Sequence, residues 1–248
     1  MKFLFLGTGA SAGVPMAGCR CAVCKSEDPK NNRLRSSALL QKGGKNFLID
    51  ASPDIRAVAL KYNIMHVDAV FVTHPHEDHI GGMNDLRSFS FLNDNRPVPL
   101  LLAKSTLDVL EVRFDYLLDR FEKRVLKGRQ GKIVVEGLEV KFFTYSQEGM
   151  LVTGFRMGKF AYVTDIKEYK LSIYDDLDGV ETLVLGAIHE EVSRMHFSIS
   201  EAVAFVQKIK SVKRCYLTHL SHQIDYKTTS KTLPEGVMLA YDGLELDV

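Results

Sequence analysis

The chain has 248 residues, with 32 lysines and arginines against 31 aspartates and glutamates, a formal net charge of +1, and 46% hydrophobic residues. This is the composition of an ordinary soluble protein with a core; it excludes a disordered chain, a collagen-like repeat and a small disulfide scaffold. Near-neutral charge also argues against binding nucleic acid or an anionic membrane through bulk electrostatics.

In chain order, the first apolar run, Phe3 to Leu6, stops at Gly7. It is shorter than the roughly 7–15 residues of a secretory signal core and reads as a strand entering a Gly-rich turn. No run approaches the roughly 18–20 apolar residues of a membrane span. A cytoplasmic location with reduced thiols is therefore expected. The loop Cys19-Arg20-Cys21-Ala22-Val23-Cys24 follows. Three closely spaced thiols supply three ligands of a tetrahedral zinc and call for a fourth. Strand-length apolar runs then recur at 37–40, 46–49, 69–73, 99–103, 132–143, 153–157, 160–164, 182–185, 215–218 and 237–241. Each is bounded by turn-forming or charged residues.

Three stretches read as helix. A short one is expected after Ile80. Helical spacing of Leu107, Leu110, Phe114, Leu117, Leu118 and Phe121 predicts a longer one over about 106–124. Its end, with Arg120, Lys123, Arg124, Lys127 and Arg129, reads as a solvated basic face. Ser198-Ile199-Ser200-Glu201 has the capping-box pattern and opens a third helix carrying Val203, Phe205, Val206 and Ile209. With no repeat and no Pro/Ser-rich linker, the expectation is one α/β or α+β domain over 1–248. Cys215, alone in an apolar run, reads as a buried small hydrophobe. His66 reads as structural, and His189 with Glu190 and Glu191 as a solvated turn.

The strongest chemical signal is Thr73-His74-Pro75-His76-Glu77-Asp78-His79-Ile80-Gly81-Gly82. Four ligand-type side chains within six residues, placed where an apolar strand ends, suit zinc, iron or manganese. The arrangement His-x-His-x-Asp-His resembles the signature of the metallo-β-lactamase superfamily, whose fold is a four-layered αββα sandwich around a dinuclear metal site. The opening segment Leu6 to Ser11 with Gly13-Val14-Pro15, the Phe47-Leu48-Ile49-Asp50 hairpin with Ser52-Pro53-Asp54, Tyr162-Val163-Thr164-Asp165 and Leu217-Thr218-His219 are similar to further motifs of that family. Within it, the chain is most similar to the phosphoribosyl 1,2-cyclic phosphate phosphodiesterases.

The resemblance implies that His74 and His76 hold a first divalent metal, that Asp78, His79 and His219 hold a second, and that Asp165 bridges them. It further implies an accessory zinc on Cys19, Cys21, Cys24 and His222. His196, just ahead of the capping-box helix, stands where the subgroup has a histidine for proton transfer; with Asp78 it is the expected catalytic residue. One position departs from the family: where a third first-metal histidine belongs, this chain has Gln147, and no histidine lies between His79 and His189. The first metal is therefore expected to be the weaker of the two.

The implied function is hydrolysis of phosphate esters by two zinc or manganese ions, with a small cyclic or linear sugar phosphate as substrate, no membrane and no nucleic acid. A homodimer is left open. Two alternatives share the same residues: an RNA-processing nuclease of the same superfamily, which the neutral charge disfavours, and a metal- or ligand-binding module without catalysis, which Gln147 would suit.

Overall fold

A computed structural model describes residues 1–248. Six strands come first: β1 (Lys2–Gly7), β2 (Ser37–Lys42), β3 (Lys45–Ile49), β4 (Ala69–Phe71), β5 (Val98–Ala103) and β6 (Phe121–Leu126). Seven more follow, β7 (Gln130–Val135), β8 (Leu138–Gln147), β9 (Met150–Met157), β10 (Phe160–Val163), β11 (Thr182–Gly186), β12 (Arg214–Thr218) and β13 (Val237–Leu239), and the chain ends on β14 (Glu245–Asp247). They form two seven-stranded sheets, ordered β14-β1-β2-β3-β4-β5-β6 and β13-β12-β11-β10-β9-β8-β7. The last strand thus crosses back and closes the edge of the first sheet.

The layers follow from alternation along each strand. Phe3 and Phe5 of β1 point between the sheets, where they pack with Phe47, Phe71, Phe155, Phe160 and Tyr162. Leu4 and Leu6 point the other way, toward Ile55 and Val58 of helix α1 (Ile55–Lys61), beyond which lie α2 (Glu77–Ile80), α3 (Met83–Phe91) and α4 (Lys104–Arg113). On the far side, Val163, Leu183, Leu185 and Leu217 pack against α5 (Ile173–Leu177) and Phe205 of α6 (Ile199–Val206). A last short helix, α7 (Tyr226–Thr229), precedes β13. Helix, sheet, sheet, helix is the αββα sandwich expected from the resemblance. No helix is long and apolar enough to cross a membrane.

The sheets position the chemistry. Strands β3 to β6 run parallel, as do β10 to β13. Parallel strands present their C-terminal ends along one edge, where ligands of open α/β sheets bind. Asp50, the loop after β4, Asp165 and His219 all lie at such ends. Three of them, Asp50, Asp165 and His219, have positive φ (60°, 53° and 62°), a backbone state that costs non-glycine residues and concentrates at functional sites.

Two predicted elements are corrected. The stretch 106–124 is not one helix: α4 ends at Arg113, a 3-10 turn spans Asp115–Arg120, and Phe121–Leu126 is β6, hydrogen-bonded in parallel along all of β5. The apolar spacing is compatible with both structures, and sheet pairing decides for strand. The basic residues Lys123 and Arg124 consequently lie on an edge strand, not on a helix end. The run 132–143 is two strands joined at Glu136-Gly137, both with positive φ (48° and 79°), the backbone of a tight hairpin turn. The capping box at Ser198 is as expected: its side chain accepts from Glu201 N, and Glu201 accepts from Ser198 N. Cys215 is fully buried in the outer core.

Candidate metal centre

The loop after β4 brings three of its four ligand-type side chains inward because it turns directly into α2. Its two glycines allow that turn to sit against its neighbours: a Cβ on Gly82 would meet Ser52 O at 2.2 Å. His74 and His79 are wholly buried and Asp78 nearly so, while His76 is half-buried.

Around His79 the other segments converge. Its Nε2 lies 3.4 Å from Asp78 Oδ2 and 3.3 Å from Asp165 Oδ2, yet this buried nitrogen has no hydrogen-bond partner. His219 Nε2 lies 3.2 Å from Asp78 Oδ2 and 3.3 Å from Asp165 Oδ1. Three compact groups of prospective ligands result: His74, His79 and Asp165; Asp78, His79 and His219; Asp165, His196 and His219. His76 belongs to none of them; its Nδ1 lies 3.1 Å from His74 Nε2. His196, expected beyond the ligands, is closer than that, with Nδ1 3.2 Å from Asp165 Oδ1 and its ring stacked on His219. Gln147 also enters the site. It is buried, its Nε2 lies 3.1 Å from His196 and 3.4 Å from Asp165 Oδ1, and its Oε1 is unpaired.

Burial alone would drive these groups neutral, but their neighbours overrule it. For Asp165 and Asp78, the desolvation that raises a carboxyl is outweighed by His79 and His219, and both are held well below the usual range. Conversely, Asp165, Asp50 and Asp78 raise His79, and Asp165 and Asp78 raise His219, against their own desolvation. His74 is held low by burial and by His79. The opposing shifts come from imidazoles and carboxylates packed against one another, and a divalent cation held by these donors would require the imidazoles in their neutral form. Imidazole and carboxylate donors around the unpaired His79 Nε2 and Gln147 Oε1 fit such a cation.

Sequence reasoning missed the group that orients His79. Asp50 Oδ2 accepts from His79 Nδ1 at 2.7 Å, and Thr73 N and Oγ1 donate to the same carboxylate, each at 2.8 Å. That contact leaves His79 Nε2 free for the cluster, as carboxylates behind metal-binding histidines do. The signal is present in the sequence, since Asp50 ends the Phe47-Leu48-Ile49-Asp50 motif at a strand end, but only tertiary pairing shows it facing His79.

A second cluster joins Cys19, Cys21 and Cys24 to His222, all half-buried. His222 Nδ1 lies 3.4 Å from Cys19 Sγ and 3.5 Å from Cys21 Sγ. Cys24 N donates to Cys21 Sγ, and Met16 N to Cys24 Sγ. The Cys24 amide and then His222 hold the Cys21 thiol down to about 6, whereas burial pushes Cys24 up to about 11. By contrast, His189 bonds to Glu191 O and His66 to Gly44 O, away from both clusters.

Comparison with known proteins accords with this geometry. The family model described as "Beta-lactamase superfamily domain" matches residues 45–220. A crystal structure titled as a new diphosphatase from the PhnP family is 36% identical, covers 99% of this chain and 96% of its own, and superposes with a TM-score of 0.94. Zn(2+)-bound PqqB from Methylobacterium extorquens superposes with a TM-score of 0.81 at 21% identity, with both chains fully covered, a likeness of fold. Among curated proteins, one named octanoyltransferase from Porphyromonas gingivalis is 31% identical over 99% of this chain but only 51% of its own length. The chain spans about half the length of the curated relatives it matches. The chain belongs to the metallo-β-lactamase superfamily, close to the PhnP family.

Proposed function

We propose that this protein is a metal-dependent hydrolase of phosphate esters, acting on small sugar-phosphate diesters or diphosphates. The observation that carries it is His79 Nε2, buried and unpaired between Asp78 and Asp165, with His219 on the same two carboxylates. The likeness to a PhnP-family diphosphatase supports attack at phosphorus. His74, His76 and Asp165 would hold one cation and Asp78, His79, His219 and Asp165 another; divalent ions there would acidify a water and polarise phosphoryl oxygens.

The chain's own residues do the remainder. Asp50 fixes the His79 ring so that Nε2 faces the cluster. His196 is buried beside the cluster, 8% exposed. Held by Asp165 and Gln147, it is placed to give a proton to the leaving oxygen. Cys19, Cys21, Cys24 and His222 would hold an accessory zinc away from the reaction.

The test is metal quantitation paired with hydrolysis of an aryl phosphodiester. Activity should need added or bound metal and fall by at least about a hundredfold in Asp78→Ala and His79→Ala, the scale of loss when a water is no longer activated. Activity that survives thorough chelation, or either substitution, overturns the proposal.

A further inference from the structure

Arg33 heads the fully buried large side chains, at 1% exposure. A guanidinium in such a place must have its donors met, and here they are met in a particular way. Nη1 donates to Ser221 O at 3.1 Å; Nη2 donates to Ile224 O at 2.9 Å and to Asn31 Oδ1 at 3.0 Å; Nε donates to Lys30 O at 3.2 Å. Two of these acceptors are backbone carbonyls on either side of His222. Asn31, also buried, extends the grip: it donates to Asp225 Oδ2 at 2.8 Å and accepts from Tyr226 N at 2.8 Å.

The backbone of Arg33 does the complementary task. Arg33 N donates to Val14 O at 2.7 Å and Val14 N to Arg33 O at 2.8 Å. This pair closes the base of the loop that carries Cys19, Cys21 and Cys24. One residue therefore joins both halves of the thiol–imidazole cluster, its main chain holding the cysteine loop and its side chain holding the segment that carries His222.

We propose that Arg33 is the positioning residue of the accessory metal site, assembling its three thiols and His222 before any metal binds. The cysteines and His222 are only half-buried, so their order has to come from the buried network beneath them. Burial pulls Arg33 down only to about 10, with Asp242, Asp225 and Asp28 opposing the fall, and it remains a cation at neutral pH. Its bonds to neutral carbonyls are thus charge-assisted, and roughly twice as strong as neutral ones. The catalytic cluster has a further anchor of its own. Leu220, between His219 and Ser221, is held separately by the end of β1, with Leu220 N donating to Thr8 O at 2.8 Å and Ala10 N to Leu220 O at 3.1 Å.

The inference rests on the two metal sites proposed above, and its signature is a split between them. Arg33→Met keeps the stem and the main-chain pair with Val14 but removes every side-chain donor. Zinc affinity at both sites is measured by chelator competition, with cobalt(II) thiolate absorption marking the accessory site and Cys21→Ser identifying it by its loss. Arg33→Met should weaken the accessory site about tenfold or more, the scale seen when outer partners of metal ligands are removed. It should leave catalytic-site affinity within about twofold, and Arg33→Lys should recover part of the loss. If circular dichroism shows Arg33→Met unfolded, Asn31→Ala, which removes one acceptor of the network, should show the same split more weakly. Accessory affinity unchanged in the folded variant, or an equal fall at both sites, overturns the role of Arg33. Wild-type protein that binds no metal at the thiols overturns the site itself.

Discussion

Three residues in the left-handed backbone region, Asp50, Asp165 and His219, point into one cluster from the ends of three strands. Strain at non-glycine residues persists only where surrounding structure over-determines it, and here the sheets do so. Asp165 and His219 were legible from their motifs; Asp50 as the partner of His79 was not, because the pairing spans 29 residues of sequence. His196 sits within hydrogen-bonding distance of Asp165, which bears on its expected role. If it delivers a proton, His196→Ala should slow an alkyl phosphodiester by about 10²–10⁴-fold and one releasing nitrophenolate much less. Equal losses for both leaving groups would assign it to metal or substrate positioning instead. Gln147 offers an amide oxygen where imidazole binds zinc or manganese better. Gln147→His should raise metal content per chain and activity at limiting metal, read by elemental analysis and titration. Metal content already saturated in the wild type would show that Gln147 Oε1 or another donor suffices.

At the scale of the element, local sequence was decisive where a signal was complete in a few residues. The capping box of α6 is one such case, and it does more than start a helix. Glu201 also takes Lys167 Nζ at 2.6 Å, so the cap ties the segment after Asp165 to the segment after His196. Ser198→Ala should cost about 1 kcal/mol, a fall of roughly 2–4 °C in thermal midpoint for a chain of this size, with Ser198→Thr recovering most of it. Calorimetry showing no shift would mean that tertiary packing alone holds α6. The stretch 106–124 shows the opposite case. Leu107 and Leu110 pack as α4 in the layer outside the first sheet, but from Phe121 the unsatisfied edge of β5 offers a full row of hydrogen bonds, and the chain takes them. A strand recruited by its neighbour leaves no periodicity of its own to read.

The whole molecule is held by three separate apolar layers and by polar clasps where its two sheets meet. Asp242, between β13 of one sheet and β14 of the other, is such a clasp: Oδ1 accepts from Thr8 N at 2.9 Å and Thr8 Oγ1 at 2.7 Å, and Oδ2 from Leu34 N at 2.7 Å. Burial nevertheless pushes its carboxyl up to about 6, above its value in an unfolded chain. A group raised on folding binds its proton more tightly in the native state, so its contribution is full below about pH 4 and is lost as pH rises through about 6. The melting temperature of the wild type relative to Asp242→Asn should therefore increase on acidification from pH 7 toward 4. A difference that stays flat over that range would show that the clasp does not titrate there.

The sequence by itself determined the chemistry-bearing loop after β4, the thiol loop, the mixture of strands and helices and the capped helix, because each rests on residues close together in the chain or on a repeated apolar rhythm; the αββα layering was implied by the family resemblance. Only the tertiary structure decided how those pieces meet: which nitrogen of His79 faces the carboxylates, that His196 and Gln147 touch, that β6 is a strand, and that Arg33 spans the accessory cluster. These depend on groups tens to nearly two hundred residues apart, whose desolvation and hydrogen bonding exist only once both sheets have closed around them.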